Sequence, residues 1–283
     1  MTLNNFNRIG NEQNFNDMFK KDFVTDSRDV PIPDMTEFRE RRKGARAYPI
    51  LLESEENKEK AYDVRAHGIA GDNYYHRVDN PPYFHSAPGS ILELYVREGV
   101  LKRLLEANSI LKEFGAELNL FDAYRPVEVQ NYFHDVWVPK YLRELNPDWS
   151  EEKIAQETGK YWASGSPTVD AVDPLSPPPH TTGGVVDLTL RSLATQELLN
   201  MGSDFDEVRE ISFADHFEKI ANERPLSEFE RESQKNRRML YWVMHEVGMV
   251  VNPNEWWHFG FGDQLSAKVS GAPHALYSVL KLG

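Results

Sequence analysis

Cysteine is absent from this chain of 283 residues, and that absence removes disulfide frameworks, thiolate metal sites and cysteine nucleophiles together. Any metal has to be held by His, Asp or Glu. Positive charge is also scarce. Lys and Arg number 32 against 45 Asp and Glu, a formal net charge of −13, which is the wrong sign for gripping a polyanionic backbone, so no nucleic-acid partner is expected. Long apolar runs are missing too, none approaching the ~20 residues needed to span a bilayer. The opening Met1-Thr2-Leu3-Asn4-Asn5-Phe6-Asn7-Arg8 has neither a basic head nor an apolar stretch behind it and does not read as a secretory signal. The expectation is a soluble cytoplasmic protein with no membrane partner.

What is present is a globular composition, 40% hydrophobic and 27% charged, with enough apolar mass for a sizeable core. Residues 1 to 60 are polar and mixed in charge. They read as an extension that wraps the main domain or stays mobile, with Phe6, Phe15, Met18, Phe19, Phe23 and Phe38 as anchors. The main domain is expected over residues 61 to 283. Ser90-Ile91-Leu92-Glu93 offers a capping box for a helix running to about Gly115, with Leu94, Leu101, Leu104, Leu105 and Leu111 as its apolar stripe. Glu117-Leu118-Asn119-Leu120-Phe121 alternates as a strand does and delivers Asp122-Ala123-Tyr124-Arg125-Pro126 at its end.

Residues 136 to 179 form an enlarged, irregular stretch with a short helix after Ser150 that closes near Gly159, and they finish in the stiff Ser176-Pro177-Pro178-Pro179. Gly183-Gly184 turns the chain into a strand, Val185-Val186-Asp187-Leu188-Thr189-Leu190. A second capped helix opens at Ser227-Glu228-Phe229-Glu230 and ends at Gly248. Met249-Val250-Val251, Asn252-Pro253-Asn254 and Trp256-Trp257-His258-Phe259-Gly260-Phe261 then read as a hairpin. Helices followed by a hairpin predict an α+β domain, a small antiparallel sheet flanked by helices.

A lone histidine is more often a surface or core residue than a ligand, and His67, His76, His85, His134, His216, His245 and His274 have nothing beside them that says otherwise. Two differ. His180 precedes Asp187 by seven residues across two glycines, so a tight turn can bring a loop imidazole and a strand carboxylate into one volume. His258 follows Glu255 by three, and on a straight strand those side chains face opposite ways, so Glu255 has to belong to the turn if both serve one site. An aromatic core strand carrying one incidental histidine is the competing reading.

Two imidazoles and one carboxylate make up a common catalytic zinc set that leaves a fourth tetrahedral position for water. Glu255, outside that set, is placed to move protons. Arg125, fixed at a strand end by Pro126, would stabilise an oxyanion, with an ordinary salt bridge as the alternative.

Phe121 through Pro126, His180 through Asp187, Met201-Gly202-Ser203-Asp204-Phe205-Asp206 and Glu255-Trp256-Trp257-His258-Phe259 resemble, in order and approximate spacing, the motifs of the bacterial D-alanyl-D-alanine dipeptidase family of zinc peptidases. The resemblance covers roughly residues 61 to 265. It implies one zinc ion held by His180, Asp187 and His258 at the sheet, with Glu255 as general base and acid and Arg125 as the transition-state arginine. It implies further that Asp206 pairs with the free ammonium group of a small dipeptide substrate, an anion at a set distance from the metal that admits a dipeptide and excludes a longer chain.

The chain departs from the family pattern at two places. Pro178 and Val185 stand where the family's histidine motif has Ser and Ala, leaving Ser176, Thr181 or Thr182 to replace the lost hydroxyl. Arg65-Ala66-His67-Gly68-Ile69, upstream of Asp72-Asn73-Tyr74, also lacks the family's tyrosine. Two other functions compete. A murein-directed zinc carboxypeptidase or endopeptidase would need export, and a non-catalytic dipeptide-binding module would have little use for Glu255 and Arg125.

Overall fold

The computed structural model describes residues 27–162 and 165–282. Among the described residues, seven β-strands are formed by Ala61–Asp63 (β1), Ala70–Gly71 (β2), Tyr95–Arg97 (β3), Ala116–Asp122 (β4), Val185–Ser192 (β5), Val250–Asn252 (β6) and Glu255–Gly260 (β7). The α-helices among the described residues are Thr36–Arg42 (α1), Glu98–Lys112 (α2), Val127–Tyr132 (α3), Val138–Leu145 (α4), Glu151–Tyr161 (α5), His216–Glu223 (α6), Glu228–Glu246 (α7) and Gln264–Ser270 (α8). None is long and apolar enough to cross a membrane.

The main sheet runs β2-β4-β5-β7-β6. Its pairings are antiparallel as expected, except that the two-residue β2 joins β4 in parallel. The class is α+β. Alternation along β5 divides the labour between its two faces. Val186, Leu188 and Leu190 join the core with Leu104 and Leu111 of α2 and Met239, Leu240, Val243 and Met244 of α7, while Asp187 and Thr189 point to the other face. Both faces are covered, and so β5 is buried over its first six residues.

Two register shifts position the site. Leu118 pairs with Leu190 and Leu120 with Leu188, an arrangement that would carry Asp122 onto the helix-covered face, but the ladder slips between Leu120 and Asp122, which pairs instead with Asp187. One extra residue in a strand reverses which way the following side chain points. Asp187 in turn pairs with His258, so Asp122, Asp187 and His258 form a single row across β4, β5 and β7. The second shift lies between Val251 and Asn252, opposite Glu255.

The first large helix begins later than its capping motif predicts. Tyr95-Val96-Arg97 pairs with Asp63-Tyr62-Ala61 as a strand, and α2 opens after Arg97, not after Ser90. A Ser-x-x-Glu pattern is a local signal, and here a long-range strand pairing overrides it. Leu94 is consequently buried ahead of the helix, and Leu105 lies exposed on it. The capping box at Ser227 is formed as read, and Ser150 caps α5.

Among residues 27 to 60, ahead of β1, several positions lie against the domain. Met35 is buried and its amide donates to Asp215 at 3.0 Å, Arg39 pairs with the same carboxylate, and Ile50 bridges to Ala275. Phe38 packs on the core; Phe6, Phe15, Met18, Phe19 and Phe23 lie outside the described residues.

Between His180 and β5 the chain makes its turn at Gly183, in the left-handed region at φ 68°. A Cβ on the next residue, Gly184, would lie 2.7 Å from the Phe261 carbonyl oxygen, a backbone atom that cannot swing aside. Gly184→Ala is therefore expected to cost about 1–3 kcal/mol of stability, as overpacking does, and to weaken metal uptake by shifting His180 against Asp187. Thermal unfolding and metal content of the variant check both, and parental values for the two would show the turn to be tolerant.

Candidate active site

His180 opens a short 3₁₀ turn, His180–Thr182, after the proline run. Its Nδ1 lies 2.9 Å from the Ala123 carbonyl oxygen and 3.2 Å from Asp122 Oδ2. A carbonyl can only accept, so Nδ1 carries a proton, which leaves Nε2 as the ring atom turned toward the other candidate ligands. That Nε2 stands 3.3 Å from His258 Nδ1 and 3.3 Å from Asp187 Oδ2, and His258 Nδ1 is 3.1 Å from Asp187 Oδ1. Among the described residues, this is the one cluster whose donor atoms all lie within 4.8 Å of one another in the manner of a metal site.

The donor set fits a divalent cation of zinc's size. Ligand bonds of about 2.0–2.1 Å in tetrahedral array place neighbouring donor atoms about 3.4 Å apart, close to the separations found. All three residues are buried, and Asp187 Oδ1 has no hydrogen-bond partner of good geometry, an arrangement that is costly unless something else satisfies such an atom. Burial by itself would raise the Asp187 carboxyl, yet the imidazoles of His180 and His258 outweigh it and hold the group well below the usual carboxylate range. Burial likewise works to lower His258, and the neighbouring Asp187 carboxylate outweighs it and raises it. Asp187 is thus an anion, as a metal ligand has to be.

Glu255 is the first residue of β7, beside the second register shift, and not a residue of the turn. The irregularity does what the turn was expected to do, for Glu255 Oε2 comes within 3.3 Å of His258 Nδ1. Its side chain retains 27% exposure against 8% for His258, enough for a carboxylate to exchange protons with solvent.

Arg125 is 7% exposed and heavily engaged. Nε donates to Asp122 Oδ2 at 2.8 Å, Nη1 to Gln130 Oε1 at 3.2 Å, and Nη2 to the Tyr75 hydroxyl at 3.1 Å and to Asp187 Oδ2 at 3.3 Å. Its guanidinium lies over the rings of both Tyr75 and Trp162, 4.6 Å from each centroid. Burial opposes the charge, and Tyr75 with the carboxylates of Asp122, Asp187 and Asp206 more than offsets it. Arg125 is therefore a fixed cation beside the candidate metal ligands, in a water-poor setting where charge acts strongly.

Asp206, in the left-handed region at φ 60°, accepts at Oδ2 from the hydroxyls of Tyr75 at 2.8 Å and Tyr83 at 2.7 Å. The loop around it is held from beneath by the buried Arg237, which donates to the carbonyls of Met201 at 2.7 Å, Phe213 at 3.0 Å and Ile211 at 2.8 Å. No carboxylate among the described residues pairs with Arg237, and burial pulls its pKa down to about 9.

Tyr75, Tyr83 and Trp162 were not singled out in the sequence. For Tyr75 a signal exists, since it directly follows Asp72-Asn73-Tyr74. Trp162 ends the helical part of the enlarged stretch and stacks on Phe133 at 4.6 Å; nothing in its local sequence marks it. The candidate replacements for the hydroxyl missing at Pro178 are partly spent. Thr181 donates to the Arg125 carbonyl at 3.2 Å and Thr182 to the Pro179 carbonyl at 2.6 Å.

Comparison with known proteins points to a peptidase family. The M15 peptidase family model described as D-ala-D-ala dipeptidase matches residues 56–275. A D-alanyl-D-alanine dipeptidase of Synechocystis sp. is 34% identical over 183 residues, 61% of this chain and 71% of that protein. Proteins of the same name from Enterococcus faecium and Enterococcus faecalis are 29% and 30% identical over 211 and 215 residues, in both cases 71% of this chain and 90% of theirs.

Burial, with the charge of Asp187 adding to it, pushes the Asp206 carboxyl from its ordinary 3.8 up to about 7. As pH rises, the unfolded chain releases this proton first, so the folded state is penalised progressively between about 4 and about 7, fully above that range and not at all below it. Asp206→Asn removes the penalty. In chelator-treated protein its Tm should exceed the parent's by several degrees at pH 8, with the gap closing by pH 4; a gap that does not change with pH would contradict the assignment.

Proposed function

Since this chain is a metallopeptidase belonging to the M15 family of D-ala-D-ala dipeptidases, we propose that its reaction is the hydrolysis of D-Ala-D-Ala or a closely related dipeptide. The observation that carries the reading is the buried convergence of His180, Asp187 and His258, their facing donor atoms 3.1–3.3 Å apart, with a carboxylate and a guanidinium beside them that holding a metal does not require.

His180 Nε2, Asp187 and His258 Nδ1 would hold one zinc ion per chain. When bound, the ion supplies Lewis acidity, polarising the scissile carbonyl and making water a better nucleophile at neutral pH. Glu255 takes a proton from the attacking water at Oε2 and returns it to the nitrogen of the leaving amine, and its partial exposure lets it reset between turnovers. Arg125, already desolvated and oriented, faces the negative charge that builds on the carbonyl oxygen and needs little reorganisation as it does so.

Asp206 anchors the substrate's ammonium group. Its Oδ2 is committed to the two phenols, and no donor among the described residues bonds to Oδ1, which leaves that oxygen for the ligand. A free amine would then be required, and peptides extended at that end would be rejected.

Glu255→Gln is expected to retain zinc at the parental ratio and lose activity on D-Ala-D-Ala by roughly a hundredfold or more, the scale of a lost general base. Metal analysis together with turnover decides, and an active Glu255→Gln enzyme would remove the residue from its role. Acetylating the substrate amine should abolish turnover by the parent enzyme. Equal rates on the free and acetylated dipeptides would point instead to an enzyme of longer wall peptides and eliminate the ammonium anchor.

A further inference from the structure

Two phenols reach the same oxygen of Asp206, but they are not equivalent. Among the described residues, Tyr83 bonds through its hydroxyl to Asp206 alone, at 2.7 Å. The Tyr75 hydroxyl meets Asp206 Oδ2 at 2.8 Å and Arg125 Nη2 at 3.1 Å. A guanidinium can only donate, so the Tyr75 oxygen accepts from Arg125, and its single proton is left for the carboxylate. With Asp206 ionised, the direction of every hydrogen bond in the chain from Arg125 through Tyr75 to Asp206 is therefore determined.

Tyr75 itself has little freedom. It is 1% exposed, its ring lies 4.9 Å from Phe133 and 5.9 Å from both Tyr83 and Trp162, and its face carries the Arg125 guanidinium. We infer that Tyr75 is a positioning residue for the reaction, its buried hydroxyl setting the separation between the carbonyl-stabilising Arg125 and the amine-anchoring Asp206. The inference rests on the proposed function and deepens it. One rigid phenol then decides how far apart the amine and the scissile carbonyl of an acceptable substrate lie, and the two grips cannot drift independently.

The test compares Tyr75→Phe with Tyr83→Phe in zinc-loaded enzyme acting on D-Ala-D-Ala. Each substitution removes one hydroxyl from Asp206, but only the first also takes a hydrogen-bond partner from Arg125. Tyr83→Phe is expected to act through KM. Tyr75→Phe is expected to raise KM and also to lower kcat by roughly ten- to hundredfold, the range for a misplaced catalytic group, with zinc content and Tm at parental values.

Should Tyr75→Phe fail to fold, fluorotyrosine at position 75 keeps the ring and the oxygen but makes the oxygen a poorer acceptor for Arg125, and kcat should fall in that protein too. Identical kinetic changes in the two Phe variants, or an unchanged kcat with either replacement at position 75, would overturn the inference and leave the proposed function standing. A zinc-loaded parent that is idle on every D,D, L,D and L,L dipeptide would remove both.

Discussion

The site depends on one buried anion. Asp187 sits in the middle strand of the row Asp122, Asp187 and His258, with two imidazoles and a guanidinium turned toward it. A carboxylate taken out of water is unfavourable by several kcal/mol unless its surroundings replace what water provided, and here each neighbour is part of that replacement. His180 is aimed by a carbonyl, Arg125 by Asp122 and Gln130, and His258 by strand pairing. Removing any one of them would alter the electrostatic setting of the others.

That arrangement comes from interruptions of regular structure. An unbroken β4 would turn Asp122 onto the face covered by helices, among leucines, and an unbroken β6–β7 ladder would hold Glu255 away from His258. In each case the sheet departs from regular pairing and brings a carboxylate to the working face. The rest of the sheet keeps its alternation, and the core formed by β5, α2 and α7 holds these irregular places still.

Much of this was legible in the chain. Asp187 could be placed on a strand by its β-branched neighbours, His180 at a turn by the glycines, and His258 in a hairpin by Asn252-Pro253-Asn254. What could not be read depends on partners distant in sequence. Tyr95-Val96-Arg97 is a strand because β1 pairs with it, although Ser90 and Glu93 nearby look like a helix start. The register shifts exist only relative to a neighbouring strand. Tyr75, Tyr83 and Trp162 converge from separate segments, and their role comes from meeting around Arg125 and Asp206, which no local pattern encodes.

Arg237 gives the loop around Asp206 an unusual kind of anchorage. Its charge has no carboxylate counterpart among the described residues, so the carbonyl dipoles of Met201, Ile211 and Phe213 act as its solvation shell. Peeling the loop away would leave a cation stranded on α7 in apolar surroundings until water arrived, which raises the free energy of local opening. The segment that would meet the substrate's amine is, on this account, among the parts of the surface slowest to breathe, and substrates have to conform to it.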